Sequence, residues 1–222
     1  MEDFMKKFFL PVMVCLFLVS CASTSGHESR GTEPSGKSAN VASGLSKTGG
    51  KVDSLSDGTV YTNKTFNFGF KLPPTAVVMT GDSLDFMQTE PNVLVDIMAM
   101  DGNNVHSISI TDVSESTFSD DEDDDDSNFS FANSEFFVEI MKDIFVASWE
   151  GAGFVTKDVG VKQMNFMGEK IPGVYYNGTL AGTDVWYYVV FQQSGNYIAQ
   201  IVLGGASEAS VKSMLGMYYR LK

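Results

Sequence analysis

The sequence predicts an α+β domain built on an antiparallel sheet, and three observations carry that prediction. Several short segments alternate apolar and polar residues with a period of two. These segments are separated by hairpin-type turns rather than by crossover helices. One stretch, 134–149, instead repeats its apolar residues with helical spacing. No internal repeat is present.

The strands follow in order from Thr59, where the globular part is expected to begin and from which it runs to residue 222. Phe66, Phe68, Phe70 and Leu72 share one face of a strand that Pro73-Pro74 ends. A short helical piece is expected over 83–88, capped by Ser83 and stopped before Pro91. Val93–Met100 and Val105–Thr111 read as strands joined by the turn Asp101-Gly102-Asn103-Asn104. His106 falls in phase with Ile108 and Ile110, and beside the turn its ring is expected to reach water.

Ser134–Trp149 is the clearest helix, with Phe137, Ile140, Met141, Ile144, Phe145 and Ser148 on one stripe. Asn133 or Ser134 can cap it, and Gly151-Ala152-Gly153 stops it. Phe154–Phe166 then reads as one or two strands, and Val174–Ala181 as another. Val185–Gln192 is apolar almost throughout, which predicts a central strand covered on both faces. Tyr197–Leu203 leads to a last helix capped by Ser207, which is expected to hold Gly216 and to bury Tyr218.

Before this domain lies a different kind of sequence. Lys6-Lys7 precede an apolar run, Phe8–Val19, that ends on Ser20-Cys21, the layout of a secretory signal peptide over residues 1–20. The run is shorter than the ~20 apolar residues a bilayer span needs. An uncleaved N-terminal anchor is the alternative. Its last four residues resemble the lipobox of bacterial lipoproteins, whose cysteine carries a diacylglycerol thioether and becomes the mature N-terminus. Cys21 is therefore the expected site of lipid attachment, both diacylglycerol and N-acyl. Residues 21–58 are rich in Ser, Gly and Thr and hold no aromatic residue, as expected of a tether that cannot bury enough apolar surface to fold. The protein is thus expected in the cell envelope, held to a bacterial membrane by its lipid, with the domain outside the cytoplasm.

Charge and cysteine usage exclude several chemistries. The chain of 222 residues has a formal net charge of −13, which argues against nucleic acid as a partner and against adsorption to anionic lipid by charge alone. Its two cysteines are Cys15, within the apolar run, and Cys21, so the folded part has no thiol for a disulfide, a nucleophile or a zinc site. No phosphate-binding glycine loop, HExxH pair or GxSxG elbow occurs, and no cofactor is expected. The nine methionines from Met79 to Met217 are scattered on buried phases, as core filling requires.

One local feature has a sharper alternative. Residues 119–128 contain the run Asp120–Asp126, seven consecutive acids, expected as a solvated loop. Counted from Asp124, residues Asp124, Asp126, Asn128 and Glu135 fall at positions 1, 3, 5 and 12 of a calcium-binding loop. Phe129 stands where that loop needs its glycine, so loose cation attraction is the simpler reading.

Tyr61-Thr62-Asn63, followed by Phe68-Gly69-Phe70-Lys71-Leu72-Pro73, resembles the opening of small lipoproteins of clostridia and related bacteria. The stretch Val95-Asp96-Ile97-Met98-Ala99-Met100-Asp101 is similar to a later strand of the same proteins. Their order of elements resembles the PsbP-like superfamily, which includes the DcrB lipoproteins. In this chain Ala76-Val77-Val78 stands where that pattern often has a Trp. The resemblance implies an antiparallel sheet of six or seven strands with helices on both sides and no catalytic residues. It also implies binding of a protein or a cell-envelope ligand. A non-enzymatic binding domain is therefore the first expectation. A calcium- or cation-responsive surface protein using 120–126 and Glu135 is the second, and a hydrolase built on a carboxylate pair the third.

Overall fold

The computed structural model describes residues 45–87, 90–114 and 131–222. Among the described residues there are two antiparallel sheets and two α-helices, and sheet predominates. In chain order the strands are β1 (Lys51–Leu55), β2 (Gly58–Asn63), β3 (Phe68–Leu72), β4 (Val77–Thr80), β5 (Val93–Asp101) and β6 (Asn104–Asp112). Helix α1 (Glu135–Gly151) precedes β7 (Phe154–Phe166), β8 (Glu169–Leu180), β9 (Thr183–Ser194) and β10 (Tyr197–Gly205). Helix α2 (Glu208–Leu215) and β11 (Tyr218–Arg220) close the chain.

The large sheet has seven strands in the order β4-β5-β6-β10-β9-β8-β7, and the small one has four in the order β1-β2-β3-β11. The long hairpins β5–β6, β7–β8 and β9–β10 form where turn residues separate apolar runs, as the sequence predicts. At the tip of β8–β9, Ala181 and Gly182 both have positive φ, the backbone form that a tight two-residue hairpin requires. β9 is central, with Val190 packed into one apolar cluster and Val189 into the other. β8 starts earlier than expected and runs through Pro172. Residues 169–173 pair only with β7, so the missing N–H of Pro172 faces no second strand.

The two faces of the large sheet are covered differently. On one face lies α1, whose Phe137, Met141, Phe145 and Trp149 pack with Tyr176, Tyr187 and Phe191. Ser134 caps this helix by accepting a hydrogen bond from the Phe137 N–H at 3.1 Å. The other face carries the small sheet and α2, and there Phe68, Phe70, Tyr61 and Tyr218 pack on Ile97, Ile108, Ile110 and Ile201. A single sheet with helices on both sides is therefore only part of the arrangement, because a second sheet does most of the covering on one side.

Four expectations need correction. Part of the segment 21–58, expected as a tether, is folded. Leu45 is fully buried, and β1 pairs with β2 along its whole length, so the fold starts before Thr59. The piece at 83–88 is a 3-10 turn over Gly81–Met87, and the Ser83 hydroxyl turns back to donate to the Thr80 carbonyl at 2.7 Å instead of capping a helix. The last helix stops at Leu215 with Gly216 as its C-cap, and Tyr218 belongs to β11, paired with Phe70. His106 does not reach water. It is 2% exposed, because Phe70 stacks on its ring at 5.5 Å and Tyr218 at 6.3 Å.

Candidate functional site

Among the described residues, the α1 face leaves one end of the large sheet uncovered, and a cleft of about 320 Å³ lies there. Its lining comes from the β5–β6 turn, the β8–β9 turn and the end of β10. One register row forms the floor: Met100 opposes Val105, Val105 opposes Gly204, and Gly204 opposes Tyr187. Gly204 is needed in that row, since a Cβ there would lie 2.5 Å from the Tyr187 ring. The ring can therefore lie across the strand, where Trp149 stacks on it at 5.4 Å.

Leu180, Val185 and Ala206 extend the apolar lining, while Asn103, Thr183 and Asp184 add polar groups. Asp184 pairs with Lys157 at 2.5 Å. An apolar floor with a few polar groups at its edge suits a ligand with an apolar body and hydrogen-bonding substituents. His106 points away from this cleft, because it lies on the opposite face of β6 with Ile108 and Ile110. Burial lowers its imidazole to about 4, so it stays neutral, and its Nδ1 finds no partner among the described residues.

A second polar cluster lies between the sheets and was not anticipated. A β-bulge between Val95 and Ile97 breaks the pairing of β5 with β6, leaving Asp96 unpaired and re-aimed toward the small sheet. Its carboxylate accepts hydrogen bonds from the Tyr61 hydroxyl and from the Gly50 N–H, at 2.8 Å to Oδ2 and 3.0 Å to Oδ1. Asn63 Nδ2 donates to the Thr48 carbonyl at 2.9 Å and to the Tyr61 hydroxyl at 3.1 Å. Burial pushes the Asp96 carboxyl above its usual range, against the opposing pull of these donors. The same burial, with the neighbouring carboxylate, pushes Tyr61 up. The cluster fastens residues 48–50 to the core. The sequence holds a signal for it, since Asp96 is the one charged residue inside an apolar strand run. Tyr61, Asn63 and Asp96 also come from the two stretches that carry the resemblance.

A third cluster joins α2 to the large sheet. Glu208 accepts hydrogen bonds from Lys162 Nζ at 2.8 Å and from the Tyr188 hydroxyl at 2.6 Å, and pairs with Lys212 at 3.0 Å. Lys162 also lies over the rings of Tyr175 and Tyr188, at 4.7 and 4.3 Å.

The residues singled out in the sequence are distributed unevenly. Residues 1–44, including Cys21 and the signal segment, lie outside the described residues, as does the acidic run 120–126. Glu135 is exposed as the first residue of α1. Among the described residues, no three His, Cys, Asp or Glu side chains converge as a metal site, and no helix is long and apolar enough to cross a membrane. Met87, Met98, Met141, Met164 and Met214 are buried among apolar neighbours, as core filling predicts.

No family model and no curated protein matches this sequence. Among solved structures, the chain is similar to the solution structure of cyanobacterial PsbP (CyanoP) from Synechocystis sp. PCC 6803. The identity is 11%, the match covers 75% of this chain and 94% of that one, and the TM-score is 0.42. A Pseudomonas aeruginosa protein of unknown function, PA94, is similar at 12% identity over 74% of this chain and 88% of that one, with a TM-score of 0.24. These likenesses are remote and concern the path of the chain alone.

Proposed function

We propose that this protein is a lipid-anchored, extracytoplasmic binding domain of the PsbP-like type, non-enzymatic, whose ligand is a protein or a cell-envelope component. The single observation that carries the binding role is the cleft at the end of the large sheet, with Tyr187 and Val105 in its floor and Asn103 and Thr183 at its edge. Its lining combines burial with a few directional polar groups, the pattern of a recognition site. The anchor part of the reading rests on the Lys6–Cys21 stretch of the sequence.

Two experiments test the two parts separately. A photocrosslinking residue placed at Thr183 is expected to yield a discrete adduct in intact cells, and one at Glu139, on the exposed side of α1, is not. Equal adducts at both positions, or none at either, would overturn the cleft as the binding site. Substituting Cys21→Ala is expected to release the protein from the membrane fraction, and continued retention would overturn the anchor.

A further inference from the structure

The seven-stranded sheet ends on β7, and among the described residues no strand pairs with its outer side. The other outer strands are short, with four residues in β4, five in β1 and three in β11, whereas β7 has thirteen. An outer strand turns the N–H and C=O of every second residue away from its sheet, which makes it a template for another strand. A bulge at Lys157, whose ammonium pairs with Asp184 at 2.5 Å, interrupts the start of β7. From Asp158 to Phe166 the pairing with β8 is regular.

That regular stretch is open at the edge on both faces. On the α1 face Val159 and Val161 are half-buried, although Tyr176 and Val174, which oppose them on β8, are fully buried. On the other face lie Asp158, Gly160 and Lys162. A Cβ at Gly160 would come within 2.8 Å of the Tyr175 ring, so the glycine lets that ring lie across the strand.

The stretch is complementary to itself. When two copies pair antiparallel about a two-fold axis at Gly160, Asp158 opposes Lys162, Val159 opposes Val161, and Gly160 opposes its own copy. Opposite charges then meet on one face and valines on the other, the pairs that stabilise a sheet. Within the chain Asp158 accepts from the Tyr175 hydroxyl at 3.3 Å, and Lys162 donates to Tyr188 and Glu208, so this register gives Lys162 a further carboxylate. An axis at Asp158 or Lys162 would set like charges against each other. One at Val159 or Val161 would leave both charges opposite neutral residues.

We propose that two copies of this chain pair through Asp158–Lys162 of β7, joining their seven-stranded sheets across a two-fold axis at Gly160. No residue of β7 lines the cleft, so the pair carries two clefts and the inference does not depend on what they bind.

The test uses residues 22–222, which keep every described residue, leave out the apolar run Phe8–Val19 and hold no cysteine. Sedimentation velocity over a range of concentrations is expected to show a monomer–dimer equilibrium. Asp158→Lys sets like charges opposite each other at two symmetric positions and is expected to weaken dimerisation about tenfold. It also lowers the net negative charge that opposes association, so a loss reports on the strand pair itself. Asp53→Lys, in β1, changes the net charge equally and is expected to shift the equilibrium by less than about twofold at ordinary salt. Near-ultraviolet circular dichroism checks that both variants are folded. Mild oxidation of an equimolar mixture of Val159→Cys and Val161→Cys, told apart by mass, is expected to give chiefly the mixed disulfide dimer, because each position opposes the other. A monomer at every concentration up to about 1 mM would overturn the proposal. So would a dimer that Asp158→Lys leaves unchanged, equal losses in the two lysine variants, or like-with-like disulfides as abundant as the mixed one.

Discussion

The two faces of the seven-stranded sheet solve the same problem with different materials. On the α1 face one continuous segment, Glu135–Gly151, supplies most of the cover, and its aromatic contacts run from Phe137–Phe191 at 5.1 Å to Trp149–Tyr176 at 4.3 Å. On the other face the cover is assembled from chain ends, β1–β3 from one side of the sequence and β11 from the other. That face also encloses polar groups: the Asp96 network, the unpartnered His106 Nδ1 and the unpartnered Tyr218 hydroxyl. Among the described residues, helix α1 also buries polar atoms without partners, Ser148 Oγ and Trp149 Nε1, but no carboxylate or imidazole. A cover made of distant segments needs directional bonds to fix where they dock, and those bonds bring titratable groups into the core.

The largest effects should compare the covers directly. Phe70 and Phe145 are both fully buried, one on each face. Truncation of either to Ala is expected to cost about 3–5 kcal/mol in urea denaturation, through lost burial and the cavity left behind. If the two covers melt as one unit, both variants give a single transition with an unchanged slope. A second transition in Phe70→Ala alone would show that the small sheet unfolds by itself, and would separate the faces energetically as well as chemically.

Asp96→Ala sharpens the contrast at somewhat smaller cost. Removing the carboxylate leaves the Gly50 N–H and the Tyr61 hydroxyl without their acceptor, expected to cost about 2–3 kcal/mol. The damage should be local, with hydrogen exchange accelerated over residues 45–55 and unchanged in α1. Uniform acceleration would mean that Asp96 does not act as the fastening of the N-terminal segment.

His106 makes the same face sensitive to acid. Burial lowers its folded pKa from 6.5 to about 4, with the Asp101 charge opposing weakly. The unfolded chain thus takes up a proton near pH 6.5 that the folded one refuses, and stability falls as pH drops from 6.5 toward 4. The loss between pH 8 and pH 4.5 is about 2.5 kcal/mol. His106→Leu should remove that increment from the pH profile, measured as the difference between the two proteins. An identical pH dependence in both would show that the ring is not held neutral.

The same asymmetry governs what the sequence reveals. Helix α1 is legible because its stripe is local: Phe137, Met141, Ile144, Phe145 and Ser148 are all buried at the expected spacing. The hairpins β5–β6 and β9–β10 are legible for the same reason, since their turns and alternations lie side by side in the chain. β1 and β11 are not. Lys51-Val52-Asp53-Ser54-Leu55 has one core-facing apolar residue, Val52, and its strand form depends on β2 lying beside it. Tyr218 continues the helical phase of Val211 and Met214, so only the pairing with Phe70 reveals its strand. The misplaced view of His106 has the same origin, because its local neighbours are a turn and solvent, and the rings that bury it come from positions 70 and 218. The cleft is assembled from two turns and the end of β10, far apart in the chain, and has no local signature.

The smallest expected effect concerns α2, which packs on the face covered by the small sheet and is tied there by charge. Glu208 opens the helix and takes hydrogen bonds from Lys162, Tyr188 and Lys212, the first of these being the strongest pull on a carboxyl held down to about 2. Its side chain is 34% exposed, so solvent screens the pairs and the stabilisation is far less than that low pKa would suggest for a buried group. Glu208→Gln keeps an acceptor for the Tyr188 hydroxyl and removes only the charge. It is expected to cost about 0.5–1 kcal/mol at low salt, and the cost should shrink as salt is raised. The contribution is present at neutral pH and fades as pH falls from about 4.5 toward 2, below the window in which His106 acts. Measured against Asp96→Ala, the comparison separates a screened tie at the rim of this face from a fastening within it. If Glu208→Gln were as costly as Asp96→Ala and equally insensitive to salt, the rim would have to be counted as interior.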